Sequence, residues 1–185
     1  MLKGLRPLLK ILEVMSSECP TEILPPDSMH LSAATGWMQL GNTDEALVDL
    51  DKISDQHRGH YEVLHIEWHI HAQRKAWERC AELGGYMVEQ YPKSSAGWIN
   101  QANSLFYLNR SHDAYQLLEP VAERFPKNEA IPYNLACYAC QFGDIDLAFD
   151  WYLVAEKLGE TEKIREVALS DPDMKPVSYT HLTLP

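Results

Sequence analysis

No run of apolar residues in this sequence approaches the roughly 20 needed to span a bilayer, so no membrane-crossing helix is expected. A glycine-rich phosphate loop, a serine nucleophile elbow and a paired acid–base constellation are likewise missing, and with them the usual signatures of an enzyme. Basic residues are scarce: 16 Lys and Arg against 27 Asp and Glu give a net charge of −11 and a pI near 5.1. A nucleic-acid partner requires a basic stripe, and the only basic cluster is Arg74, Lys75 and Arg79, so none is expected. The four cysteines, without a clear secretory signal, point to reduced thiols and a cytoplasmic protein rather than a disulfide frame. What is present suffices for one folded domain: 185 residues, 45% apolar and 10% aromatic, are well clear of the disordered regime.

The N-terminus starts basic, but Lys10 and Glu13 interrupt any leader-like apolar core. Leu5, Leu8, Leu9, Leu12 and Met15 make one helical stripe instead, with Pro7 tolerable in the first turn. Residues 1–26 are therefore expected to hold a capping helix and a Pro-rich linker, the latter within CPTEILPPD at 19–27.

Beyond Asp27 the chain repeats itself. A step of 34 residues joins Ala46, Cys80, Ala114 and Ala148, and another joins Ala34, Trp68, Ala102 and Ala136. The same step joins Gly41, Lys75, Asn109 and Gly143, two of them turn-forming glycines, and Pro92 with Pro126. The apolar spacing on either side of Gly143 is i, i+3, i+4, which is helical. Such a fixed period is the mark of a solenoid of helix pairs that bury their faces on one another.

This pattern resembles the tetratricopeptide repeat (TPR), a 34-residue helix–turn–helix unit. The family favours a large residue at position 4, small residues at 8, 20 and 27, and proline at 32. Repeat three supplies Trp98, Ala102, Ala114, Val121 and Pro126 there, and repeat four supplies Ala136, Ala148 and Ala155. The resemblance covers 27–160 in four units at about 27–60, 61–94, 95–128 and 129–162. It implies an all-α, right-handed α-solenoid of antiparallel helix pairs with N- and C-terminal capping helices. Residues 161–176 would be the C-terminal cap. Two irregularities stand out. Trp68 replaces a small residue while Gly84 and Gly85 sit inside the following helix, so the indole is expected to fill the volume left at Gly84. Pro120 lies within the second helix of repeat three and is expected to bend it. The last nine residues, VSYTHLTLP, carry no Asp, Glu, Lys or Arg and resemble one reading frame of a translated sequencing adapter. Residues 177–185 are expected to be an artefactual tail, with the native C-terminus beyond about Pro176 missing.

The family's groove positions carry over to Leu31, Thr35 and Met38 in repeat one and to Glu62, His65, His69 and Gln73 in repeat two. They carry over to Ile99, Asn103, Phe106 and Tyr107 in repeat three and to Tyr133, Cys137 and Gln141 in repeat four. Only Glu62 among them is charged at neutral pH, so the acidic tails that lysine-lined relatives clamp are poor ligands here. The expected function is a non-enzymatic scaffold binding a protein or peptide partner with apolar anchors on the concave face. The alternative is a small metal or redox sensor. His65 and His69 have the i, i+4 spacing of a zinc pair, yet no third ligand is obvious and Ile66 stands where the zinc-protease motif needs glutamate. Cys137 and Cys140 form a C-x-x-C pair inside a helix, where packed thiols at i, i+3 explain them equally. No metal and no cofactor are expected.

Overall fold

A computed structural model describes residues 22–182. The capping helix expected within residues 1–26 falls almost wholly outside the described residues, as does Cys19. Among the described residues there are no strands, and no helix is long and apolar enough to cross a membrane.

The first helices of successive pairs are α1 (Asp27–Gln39), α4 (Tyr61–Gln73), α6 (Ser95–Tyr107) and α8 (Ala130–Phe142), each 13 residues long. Their partners are α2 (Thr43–Leu50), α5 (Trp77–Gln90), α7 (Ser111–Arg124) and α9 (Ile145–Leu158), and these begin 34 residues apart. A short helix, α3 (Asp55–Arg58), follows α2, and α10 (Thr161–Ser170) follows α9.

The turn between partners is the same each time. Gly41, Lys75, Asn109 and Gly143 all have left-handed φ, at 77°, 57°, 60° and 87°. At each, the residue donates its N–H three residues back and the next residue donates five back. The four longer bonds are Asn42 to Trp37, Ala76 to His71, Arg110 to Leu105 and Asp144 to Ala139, at 2.9–3.1 Å. This is the Schellman closure, which satisfies carbonyls the helix end would otherwise orphan. Asn42 and Asp144 then cap the following helix by accepting from the Glu45 and Leu147 amides, at 3.3 and 3.1 Å.

The chain forms two compact units divided within α6, one ending at Gly97 and one starting at Trp98. In the first, α1 packs on α2, α2 on α4, and α4 on α5. Ala34, Ala46 and Cys80 are fully buried, and their small side chains let the helices approach. Trp68 is buried with Leu64, Ala72, Cys80, Leu83 and Met87, and Gly84 is buried on the same helix as the last three. A methyl group at Gly97 would lie 3.1–3.2 Å from Met87 and the Val88 amide nitrogen, so glycine permits the approach of α6 to α5. α2 stops at Leu50, and the chain turns into α3 over a buried carboxylate. Asp27 accepts from the Ser54 amide (3.2 Å), the Ser54 hydroxyl (2.5 Å) and His57 Nδ1 (2.6 Å).

In the second unit α8 is the centre, with Ile131 to Cys140 buried without interruption between α7 and α9. Ala102, Ala114, Ala136, Ala148 and Ala155 are all fully buried there. Polar bonds tie neighbouring pairs together: Tyr138 Oη donates to Asn103 Oδ1 (2.7 Å) and Trp151 Nε1 to Tyr115 Oη (2.9 Å). α7 runs through the exposed Pro120 without interruption. After α10, Asp171 accepts from Tyr133 Oη (2.9 Å) and caps a short turn, and Ala168, Met174 and Val177 complete the core. Ser178 is buried too, Tyr179 is exposed, and the helical path continues to Leu182.

A left-handed backbone costs a non-glycine residue about 1–2 kcal/mol. Lys75→Gly is therefore expected to raise the unfolding free energy by about 1 kcal/mol in denaturant titrations, and Gly143→Ala to lower it by a similar amount. A neutral Lys75→Gly would show that strain at this turn is absent. The hydrogen bonds from Ser54 and His57 hold the Asp27 carboxyl at about 2, below its usual 3.8. A depressed acid stabilises the fold above its unfolded pKa and loses that contribution as pH falls from about 4 toward 2. Asp27→Asn should thus be less stable than the parent at pH 7, with the gap closing by pH 2. A gap independent of pH would refute this.

Candidate binding surface

The expected site residues lie along the first helix of each pair, one turn apart. In the unit ending at Gly97, His65 and His69 are four residues apart on α4 and share a face. Their rings meet edge-on at 4.5 Å; Tyr61 stacks on His65 at 5.8 Å and Trp68 meets His69 edge-on at 5.0 Å. Both histidines are buried, and neither ring nitrogen of His69 has a hydrogen-bond partner. Burial pushes His65 down to about 4, and burial with the nearby His65 pushes His69 to about 3. The pair is therefore neutral at physiological pH, an apolar wall made from polar residue types.

Around this wall the other expected residues are partly accessible. Gln73 Nε2 donates to the Met38 carbonyl at 3.2 Å, which brings Met38 and Gln73 together from two helix pairs. Thr35 turns its hydroxyl onto the Leu31 carbonyl (2.8 Å), so its methyl is what remains to offer. Leu31 is buried, whereas Glu62 is partly accessible beside His60, whose Nδ1 accepts the Glu62 amide at 3.2 Å.

In the unit from Trp98, Phe106 is buried between Tyr107 (edge-on, 5.4 Å) and Tyr138 (5.1 Å). Ile99, Asn103 and Tyr107 stay partly accessible, and Gln141 is exposed. Tyr133 and Cys137 are buried, the former through its bond to Asp171. Cys140 is nearly as enclosed, and burial pushes its thiol up to about 11, which opposes the thiolate that metal binding or redox exchange needs. Among the described residues no three His, Cys, Asp or Glu side chains converge on one point. His65 and His69 are thus two ligand types without a third.

Two features gave no sequence signal of function. One is the buried Asp27, which reads as an ordinary helix-start acid. The other is a cavity of about 540 Å³ among α2, α3, α4 and α5. A break in the 34-residue register at Leu50 was the available clue.

An imidazole with two unpartnered, buried nitrogens destabilises the fold by about 1–3 kcal/mol relative to a ring that needs no partner. His69→Phe should therefore raise the unfolding free energy at pH 7 by about 1 kcal/mol. The buried neutral form is a depressed base, so its unfolded counterpart takes a proton first and stability falls as pH drops from 6.5 toward 3. Denaturant midpoints between pH 7 and 4.5 should fall less steeply in His69→Phe than in the parent. Equal slopes would count against the buried neutral pair.

No protein-family model matches this sequence, and no curated protein sequence matches it. Solved structures do resemble it in shape. The MamA of Desulfovibrio magneticus RS-1 (residues 41 to the end) superposes with a TM-score of 0.65 at 15% identity, over 85% of this chain and 92% of that one. MamA of AMB-1 gives 0.59 at 18% identity over 86% and 93%, and MamA of MSR-1 gives 0.58 at 20% over 84% and 91%. At such identity the likeness is one of fold: the chain is an all-α protein of TPR-like helix pairs, as these MamA structures are.

Proposed function

We propose that this chain is a non-enzymatic interaction scaffold. It binds a protein or peptide partner with apolar anchors along the first-helix faces, the concave side in TPR proteins. The observation that carries this reading is the mixture of side chains left accessible there. Met38 sits beside Gln73 in one unit, and Ile99 and Tyr107 sit beside Asn103 in the other. Each set joins apolar surface to an amide, and each is backed by buried side chains that fix its shape. Anchors of a partner gain from apolar burial, while the amides orient its backbone. Ordered packing behind the surface lowers the entropy lost on binding. The TPR-like fold supports the same reading, because stacked helix pairs present such faces in series.

The test is a selection of displayed peptides on the full chain, followed by affinity measurement on those enriched. Selected peptides should carry apolar anchors, and Tyr107→Ala or Ile99→Ala should weaken them roughly tenfold or more with helicity unchanged. Enriched peptides indifferent to both substitutions, or no enrichment at all, would refute this placement.

A further inference from the structure

The cavity in the unit ending at Gly97 exists because one helix stops early. α2 starts in register with α5, and the same register would carry it to Gln56, but it ends at Leu50. The missing turns leave Leu50, Val63, Leu64 and Leu83 facing about 540 Å³ of space, within the roughly 300–1,000 Å³ usual for ligand pockets. The gap is held open rather than left slack. Asp27 fastens the turn after α2 through Ser54 and His57. Arg58 Nη2 donates to the Asp51 carbonyl at 2.8 Å, and Tyr91 Oη donates to the Gly59 carbonyl at 2.8 Å. Five hydrogen bonds thus fix a wall that a continuous helix would have closed.

The mouth is charged, and its balance is acidic. Arg58 lies between Asp55 (3.1 Å) and Asp51 (3.9 Å), and Arg79 lies between Glu67 and Glu82 (both 3.0 Å). Each guanidinium is matched by two carboxylates, which leaves net negative charge over an apolar floor. Tyr86 stands at the rim, 43% exposed. We propose that this cavity is a second binding site, taking a partner segment that buries apolar side chains and sets a lysine or arginine against the rim. It shares no residue with the first-helix faces and so stands apart from the function proposed for them. Apolar burial supplies the affinity here, and the surplus of carboxylates selects the sign of the flanking charge.

The probe is a fluorescein-labelled peptide, Gly-Leu-Phe-Lys-Arg-Gly, against the same peptide with Glu-Glu for Lys-Arg, titrated into the full chain. The basic peptide should bind roughly tenfold or more tightly than the acidic one. Amide shifts in nitrogen-15 spectra should centre on Leu64, Leu83 and Tyr86. Asp51→Lys with Glu82→Lys, both at exposed positions, should remove the preference without loss of helicity, and Leu47→Trp should block both peptides. Absence of binding up to about 1 mM, equal affinity for the two peptides, or a preference that survives the double substitution would overturn the proposal. Shifts centred on Met38 and Gln73 would overturn it too, and would favour the first-helix face instead.

Discussion

Everything in this chain depends on ending a helix after 13 residues and reversing it within two. A helix end leaves carbonyls without partners, and a reversal this tight needs one residue with positive φ. Positions 41, 75, 109 and 143 meet both demands with the same pair of backbone hydrogen bonds. Because the closure is made by the backbone, it tolerates lysine and asparagine as well as glycine, at a modest cost in strain. Small residues at 46, 80, 114 and 148 follow shortly after each turn, and all are fully buried. The turn sets the direction of the second helix, and the small residue sets how close it can come.

Departures from this frame carry the individuality of the protein. In the second repeat the small position holds Trp68, whose bulk joins Cys80, Leu83 and Met87 in a local core. His65 and His69 then occupy a wall that burial keeps uncharged, and the binding chemistry passes to the partly accessible Met38 and Gln73. In the first repeat the shortened α2 and the Asp27 clamp replace half a helix by a fixed turn. The same chain therefore offers two kinds of surface: one that follows the repeat and one made by breaking it.

Much of the fold was legible beforehand because its period is written in residue size and turn chemistry. Glycine, asparagine and small residues 34 positions apart are local features, and the resulting helices start in step. The candidate site was less legible. Position along a first helix gave Ile99, Asn103 and Tyr107, which stay partly accessible, and equally gave His65, His69, Phe106 and Cys137, which are buried. Helical position fixes which way a side chain leaves its own helix; it does not fix what lies on the other side. The Asp27 contacts join residues 27–30 positions apart and are invisible to any local pattern.

The sequence by itself determined an all-helical chain, a 34-residue register and the places where each helix must turn. These follow from backbone sterics and side-chain volume, which act between residues close in the chain. Only the tertiary structure decided which polar groups would be buried and neutral, where Asp27 would anchor a turn, and that a shortened helix would leave a lined cavity. Those outcomes depend on desolvation and on contacts across helix pairs, and neither is written in the order of neighbouring residues.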